Sequence, residues 1–343
     1  MLAALLAQTD AGQAATGSGP AGALLGAASM AQTEPLSVIV PRFGPSAAAA
    51  SAIALDPEVA RAGKAAETAL DGGLSPARAS ALPKPAFGSE KTAFDGDFLI
   101  VGAGVVFMPN YEGANEKSAI LAGAFAGNFR GIGISPRAAG FALDLVPERR
   151  GARLGFSFGP VFRLRMNRSG QIKDPVVASL GKLRSVIEGG VNIGITVKRA
   201  FNGHDQLSLG ADFRWDITGR GGGGVISPAV SYLSPVSRAQ VVGLLVSAEF
   251  ADKRFARYNY DITPAGSAAS GLPVFAARGG LKALNFGAFT ARDLDGNLLN
   301  GGLSIGAGAM YTRLQGSAAK TPLTAIRGSS NQWVFAAGLG FTF

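Results

Sequence analysis

The chain ends in Trp333-Val334-Phe335-Ala336-Ala337-Gly338-Leu339-Gly340-Phe341-Thr342-Phe343. Every second residue of this stretch, beginning with Trp333, is large and apolar apart from one alanine, and the residues between them are mostly small. Successive side chains of a β-strand point to opposite faces, so a period of two residues predicts a strand. The stretch therefore predicts a final strand with one apolar face and one face of small residues.

The same period recurs upstream in long segments. Gln206–Thr218, Arg153–Arg165 and Ile187–Lys198 each alternate apolar residues with polar or charged ones. Seven further strands are predicted at Phe98–Met108, Ala119–Phe129, Ile132–Val146 with an interruption at Pro136, Val225–Ser234, Gln240–Phe250, Leu281–Arg292 and Leu303–Leu314. Together with the final strand these make eleven segments.

The length of these segments distinguishes a membrane barrel from a soluble sandwich. They run to about 10 to 14 residues, whereas soluble strands have about 5 to 6 and a tilted membrane strand needs about 9 to 11. The chain is 47% apolar and only 16% charged, against about 25% charged in soluble domains. No stretch approaches the roughly 18 apolar residues of a transmembrane helix, the longest run being Val241–Val246.

We therefore predict an all-β fold, a single closed antiparallel transmembrane β-barrel over residues 97–343. A closed barrel is the other structure that satisfies every backbone polar group in lipid. Bacterial single-chain barrels have an even number of strands, so one of the eleven segments has been split or merged, or one strand has been missed. Twelve strands is the prediction and ten the alternative.

Residues 1–96 differ in composition from the rest. They are rich in Ala, Gly, Pro and Ser, which predicts a low-complexity N-terminal extension, flexible or weakly helical. Met1–Ala7 and Ala23–Ala31 resemble remnants of an export signal, and the second ends in a small-residue cleavage pattern. Such a signal should begin with basic residues, but the first one is Arg42. A misplaced start codon would explain both fragments.

The segments between strands are of two lengths. Short links predicted to be turns on one rim are Glu148–Gly151, Phe201–Asp205, Ser234–Arg238 and Asp293–Gly296, and long loops predicted on the other rim are Asn167–Arg184, Ala251–Gly280 and Gln315–Asn331. The longest loop, Ala251–Gly280, is long enough to cover one mouth of the barrel or to fold inward as a plug.

The polar faces of neighbouring strands carry nine charged residues. They are Arg153, Arg163, Arg165, Glu188, Lys198, Asp212, Arg214, Asp216 and Glu249. If this face lines the lumen, opposite charges would pair between strands. Two interpretations stay open, a structural ion network that closes the barrel and a narrow anion-preferring channel or small-molecule site.

Composition and motifs argue against other classes of function. The formal net charge is +9. Cysteine is absent, and this absence excludes disulfides, thiol catalysis and cysteine-based metal sites. The basic residues have no clustered face or aromatic motif, so we expect no nucleic-acid binding. His204, the one histidine, falls in a predicted turn, and Gly221–Gly224 precedes a strand rather than the helix of a phosphate-binding loop. We expect no enzymatic activity, no cofactor and no metal site.

Several motifs of the chain occur together in one known family. They are Pro109-Asn110-Tyr111-Glu112-Gly113; the loop Ile262–Pro273 with Thr263, Pro264, Ser267, Ser270, Gly271, Leu272 and Pro273; Gly279-Gly280-Leu281-Lys282; Arg327-Gly328-Ser329-Ser330-Asn331-Gln332; and the terminal Phe341 and Phe343. Through them the chain resembles the MltA-interacting protein (MipA/OmpV) family of Gram-negative outer-membrane proteins over about residues 97–343. The aromatic end of the last strand is typical of the signal that the barrel-assembly machinery recognises.

The resemblance implies a barrel in the cell outer membrane, in contact with lipid and lipopolysaccharide. Some family members are adaptors between a lytic transglycosylase and a murein synthase, and others are porin-like, antibiotic-linked or adhesive. The resemblance thus implies a non-enzymatic scaffold for peptidoglycan (murein) synthesis and remodelling, or an envelope-maintenance protein. The alternative is a narrow anion-preferring porin or a channel that binds small molecules or antibiotics. Residues 1–90 are outside the resemblance.

Overall fold

The structure, a computed structural model, describes residues 93–94, 96–147 and 152–343. The strands are β1 Phe98–Pro109, β2 Lys117–Phe129, β3 Ile132–Arg137, β4 Gly140–Asp144, β5 Leu154–Arg165, β6 Val186–Lys198, β7 Gln206–Asp216, β8 Gly224–Ser237, β9 Gln240–Ala251, β10 Gly280–Asp293, β11 Gly302–Leu314 and β12 Asn331–Thr342. Each strand pairs antiparallel with its neighbours in the sequence, and β12 pairs with β1. The twelve strands form a closed barrel.

The predicted number of strands is confirmed, and one predicted segment is corrected. Residues 132–146 contain two short strands, β3 and β4, joined by a two-residue turn at Ala138 and Ala139. The φ angle of Ala139 is 48°, in the left-handed region. Turns of this kind are usually signalled by Asn-Gly or Asp-Gly. Two alanines carry no such signal, so the sequence reveals an interruption at Pro136 but not the hairpin.

Side chains alternate between the outside and the inside of the wall. Trp215 on β7 is 51% exposed on the outside, whereas its neighbour Arg214 is 2% exposed on the inside. On β12 the side chains of Phe335, Leu339 and Phe341 are exposed on the outer surface. The outer wall is therefore apolar, and charged or small residues line much of the inside, as in a barrel that contacts lipid.

The connections define a turn side and a loop side of the barrel. Turn-side connections are 130–131, 199–205, 238–239 and 294–301, and loop-side connections are 110–116, 166–185, 217–223, 252–279 and 315–330. The loop side contains the helices α1 Pro175–Ala178, α2 Lys253–Tyr260, α3 Pro264–Ser270, α4 Gly316–Lys320 and α5 Pro322–Ala325. The predicted turn Glu148–Gly151 and the predicted extension up to residue 92 lie outside the described residues.

Within the described ranges, no helix combines the length and apolar character needed to cross a membrane.

The loop-side segments 110–116, 166–185, 252–279 and 315–330 pack together as a unit that we call the cap. Phe255 and Tyr260 of α2 are buried against Val225, Ala283 and Leu314, which are strand residues. A second apolar cluster in the cap consists of Tyr111, Ala114, Val177, Ile262, Leu272 and Leu323. Because α2 packs against inward-facing residues at the loop-side ends of the strands, the long loop after β9 folds inward and fills the loop-side mouth.

Candidate functional site: a charge network below the cap

Seven buried charged side chains meet below the cap in what we call the lumen charge network. They are the basic residues Arg163, Arg165, Arg214 and Lys282 and the acidic residues Glu112, Glu188 and Glu249. None is more than 8% exposed. Five strands and one cap segment contribute to it, so the network links the barrel wall to the cap.

Lys282 is the centre of one half of the network. Its Nζ lies 2.9 Å from Oε1 of Glu112 and 2.5 Å from Oε2 of Glu249. Nη1 of Arg163 lies 3.9 Å from Oε1 of Glu249 on the other side. Removing one partner of a buried ion pair is strongly destabilising, because it leaves an uncompensated buried charge. Lys282 therefore needs both carboxylates, and they in turn need Lys282.

Glu188 is the centre of the other half. It accepts a hydrogen bond from Arg165, and its Oε2 lies 3.8 Å from Nε of Arg214. The guanidinium carbon of Arg165 also lies 3.8 Å from the ring centroid of Phe255 in the cap. A cation over an aromatic face is attracted to it, more strongly where water is excluded. The cap is thus held to the wall by charge as well as by apolar packing.

A second ion pair lies on the inner wall between β3 and β7. Nε of Arg137 donates to Oδ2 of Asp212 at 2.8 Å, and Nη2 donates to Oδ1 at 3.2 Å. Nδ2 of Asn192 donates to Oδ1 of the same carboxylate at 3.1 Å. The fork of an arginine matches a carboxylate in this bidentate geometry. The pair connects strands that lie 75 residues apart in the sequence.

Three members of the predicted charge cluster lie outside both the lumen charge network and the Arg137–Asp212 pair. Arg153 is exposed at the turn side, where its Nη2 donates to the carbonyl of Arg199. Lys198 is buried, but it ends β6 at the turn side, far along the strand from Glu188. Asp216 ends β7 at the loop side and accepts hydrogen bonds from the connecting loop. Alternation assigns these residues to a face but not to a depth in the barrel.

Three charged residues of the lumen charge network and the Arg137–Asp212 pair were absent from the predicted charge cluster. Lys282 lies at a β-bulge, where the β9–β10 register shifts between Leu281 and Ala283. A bulged residue leaves the alternation of its strand, so a side chain can turn to the other face. Arg137 lies in the undetected hairpin, and Glu112 lies in a loop. Glu112 was marked only by the family motif.

The family-motif residues build the cap. Tyr111 is 1% exposed in the second apolar cluster, and burial raises its pKa to about 12. A side chain on Gly113 would collide with Oγ1 of Thr324, and Gly113 also has a φ of 97°. Thr263 caps α3 at its start and Gly271 ends it in the left-handed region. Phe341 and Phe343 are exposed outside the barrel instead.

The remaining motif residues of the long loop belong to the same part of the cap. Pro264, Ser267 and Ser270 lie in α3, Leu272 is buried in the second apolar cluster, and Pro273 follows it in the chain. Ile262 and Phe275 form a β-bridge around this segment. The loop is therefore an ordered structural element of the cap.

Asp174 and Arg327 fasten two cap segments together. Nε of Arg327 donates to Oδ2 of Asp174 at 2.9 Å, and the amide of Val176 donates to Oδ1. Burial alone would raise the pKa of Asp174, but the hydrogen bonds from Arg327, Val176 and Val177 outweigh it and hold the pKa below its usual range.

We expect Asp174→Ala to destabilise the cap by about 1 to 2 kcal/mol, because α1 loses its N-cap and Arg327 loses its partner. Folding lowers the pKa of Asp174. The stability that its carboxylate contributes to the fold is therefore fully present above the unfolded pKa of about 3.9, and it is lost as the pH falls below that value. The measurement is the difference in melting temperature between wild type and variant from pH 8 to pH 3. A difference that grows toward low pH would contradict the assignment.

The loop-side half of the lumen contains an apolar surface. Val106, Met108, Leu245, Met310 and Val334 are buried together on the inner wall, and we call them the lumen apolar patch. A recess of about 60 Å³ adjoins Leu245 and the Asp212 carboxylate. This volume holds a few water molecules at most.

Within the described residues, no group of three or more His, Asp or Glu side chains is placed to hold a metal ion. His204 lies in the turn-side connection, where its amide donates to Oδ1 of Asn202.

Comparison with known proteins gives a match to one family model. The model, described as MltA-interacting protein MipA, matches residues 101–343. No curated protein matches the chain.

Three solved structures that are similar to this chain have low sequence identity to it. The Pseudomonas putida toluene transporter TodX is 11% identical, with 73% of this chain and 90% of that chain covered and a TM-score of 0.34. A porin is 12% identical, with coverages of 71% and 99% and a TM-score of 0.27. A Pseudomonas aeruginosa FadL homologue is 9% identical, with coverages of 73% and 91% and a TM-score of 0.27.

Proposed function

Because the chain belongs to the MltA-interacting protein MipA family, we propose that it is a non-enzymatic barrel of the bacterial outer membrane, closed to free diffusion, that acts as an adaptor for peptidoglycan enzymes. The observation that carries the proposal is the filled loop-side mouth. Phe255 is fully buried in it, directly above the lumen charge network. A barrel sealed in this way is suited to binding partners at its rims.

The outer surface supports the location in a membrane. Near the loop side, Phe286, Tyr311, Trp333 and Phe335 form a chain of ring contacts along the outside of the wall. Phe341 and Phe343 make a similar contact near the turn side. Aromatic girdles at two levels, with an apolar band between them, are typical of barrels that span the outer membrane.

The partner in this proposal is a lytic transglycosylase of the MltA kind, as the name of the family suggests. Outer-membrane barrels place their short turns in the periplasm, so the turn side or residues 1–92 would make the contact. A pull-down of the purified enzyme with full-length protein tests this. A truncation of residues 1–92, compared with the full chain, assigns the contact to one of the two regions.

Closure to diffusion predicts no steady conductance in planar lipid bilayers. The reason is that Phe255 and Tyr260 fill the mouth, and four basic and three acidic side chains fill the lumen below it. As a control, replacing residues 253–278 with a short Gly-Ser linker removes α2 and α3 and should produce measurable conductance.

A narrow anion-preferring channel is the second candidate. The network contains one more basic than acidic side chain, which favours anions over cations in a residual pore. A stable anion-selective conductance of the full-length protein, reduced by Arg163→Gln, Arg165→Gln or Arg214→Gln, would overturn the closed-barrel proposal in favour of transport.

A further inference from the structure

The barrel wall is interrupted beside β2. This strand has 13 residues, but it pairs with β3 only through Gly127, Asn128 and Phe129. The β3–β4 hairpin turns back at Ala138, well short of the loop-side end of β2. In the described part of the chain, residues 117–126 therefore have no strand beside them on this edge. We call this interruption the wall notch.

Backbone groups of four β2 residues point into the wall notch. Leu99 of β1 exchanges hydrogen bonds with Phe343, the residue that follows β12. Because the backbone groups of successive strand residues point to opposite sides, every second residue of β1, beginning with Ile100, bonds to β2 instead. The β1–β2 register then leaves the odd-numbered residues of β2 facing away from β1. They are Ala119, Leu121, Gly123 and Phe125, and beside the first three no described strand, loop or turn provides a backbone partner.

Pro136 ends the pairing of β2 with β3. Beyond the pair Gly127–Ile134, the register would place Phe125 opposite Pro136. Proline has no amide hydrogen to donate. Its carbonyl oxygen already accepts a hydrogen bond from Nη1 of Arg137 at 3.1 Å. The notch is thus encoded by a residue that cannot extend the ladder of hydrogen bonds.

The notch lies at the depth of the apolar outer surface. Leu121 is 79% exposed, against 48% for Val105, its partner on β1. Val105 pairs with Ala337, which lies between the outward rings of Phe335 and Phe341 on β12. Bare backbone groups do not occur in contact with lipid; they are buried in protein or line a wet cavity. The edge of β2 therefore requires an occupant that carries polar groups.

Antiparallel pairing with a second copy of the chain cannot cover this edge. Two β2 edges would pair antiparallel about a two-fold axis perpendicular to the sheet. Such an axis lies in the plane of the membrane, so it would invert one barrel relative to the other. Barrels inserted from the same side of one membrane share one orientation, which excludes this pairing.

The surroundings of the notch select the chemistry of its occupant. Ile120 and Ala122, on the inner face of β2, pack against the lumen apolar patch, which continues the apolar surface into the barrel. At the loop-side end, Nζ of Lys173 donates to the carbonyl oxygen of Lys117 at 3.2 Å. A positive charge, free backbone amides and an apolar surface thus follow one another along a single edge.

We propose that the wall notch binds an anionic single-chain lipid, a proposal that rests on the location in a membrane given above. The head group lies at Lys173 and accepts hydrogen bonds from the amides of Ala119 and Leu121. The hydrocarbon chain passes along Ile120 and Ala122 toward the lumen apolar patch. Water from the lumen reaches the remaining backbone groups of the edge.

The test uses the full-length protein in phosphatidylcholine vesicles with a photoreactive 16-carbon fatty acid, and the labelled peptides are identified by mass spectrometry. We expect labelling concentrated in residues 117–129 and suppressed by unlabelled fatty acid. Lys173→Gln should reduce labelling about threefold, the effect of losing one exposed charge contact. Lys182→Gln, which changes an exposed lysine of the same cap segment, is the matched control and should leave labelling unchanged.

Two results would overturn the proposal. One is labelling spread evenly over the outward faces of all strands, and the other is equal labelling of the wild type and Lys173→Gln. Flotation of the vesicles separates this failure from failure of the proposed function. Protein that does not float with the vesicles contradicts the membrane location and the notch together, whereas protein that floats but labels evenly contradicts the notch alone.

Discussion

Glu249→Ala is expected to reduce the free energy of unfolding by about 3 to 5 kcal/mol, the cost of removing one partner from a buried ion pair. Glu249 is 1% exposed, and its carboxylate lies 2.5 Å from Nζ of Lys282 and 3.9 Å from Nη1 of Arg163. Without it, the network holds four positive charges against two negative ones in a site with little water. Urea unfolding in lipid vesicles, followed by the fluorescence of Trp215 and Trp333, measures the loss.

Two further variants show whether the loss comes from the uncompensated charge. Glu116→Ala removes an exposed carboxylate from the cap, and we expect a change within about 0.5 kcal/mol. Combining Arg163→Met with Glu249→Ala restores the original charge balance, so the double variant should be more stable than Glu249→Ala alone. A double variant less stable than the single one would show that packing, rather than charge, governs this site.

Leu339→Arg is expected to cost about 2 to 4 kcal/mol in the same unfolding experiment, because it places a charge in the lipid near the middle of the bilayer. Leu339 is 52% exposed on the outer wall. It is flanked by its pairing partners Ala103 on β1 and Ile305 on β11, which also face outward. Position 339 is several residues away from either rim, so an arginine there would hold its charge within the lipid.

The control for this prediction lies at the loop-side rim. Ile217 is 60% exposed one residue beyond the end of β7. At the edge of the bilayer an arginine reaches the head groups, so Ile217→Arg should cost at most about 1 kcal/mol. Equal costs at Leu339 and Ile217 would mean that the outer wall is not embedded in lipid.

The sequence alone determined the class of fold and the orientation of most strand residues. A strand that separates two environments must alternate with a period of two, and this signal is contained in each strand by itself. The final strand, with Leu339 and Phe341 on one face and Gly338 and Gly340 on the other, was sufficient to show it. The even strand number of bacterial barrels then indicated that eleven segments was a miscount.

Only the tertiary structure decided where β3 ends, which way Lys282 points and which charges meet. The Ala138-Ala139 turn has no sequence signal, and the bulge at Lys282 reverses the face that alternation assigns. Arg137 and Asp212 meet because the curvature of the closed barrel turns the inner faces of β3 and β7 toward each other, with three strands between them. Alternation reports on the face of a side chain, whereas depth and partner depend on register and closure, which involve the whole barrel.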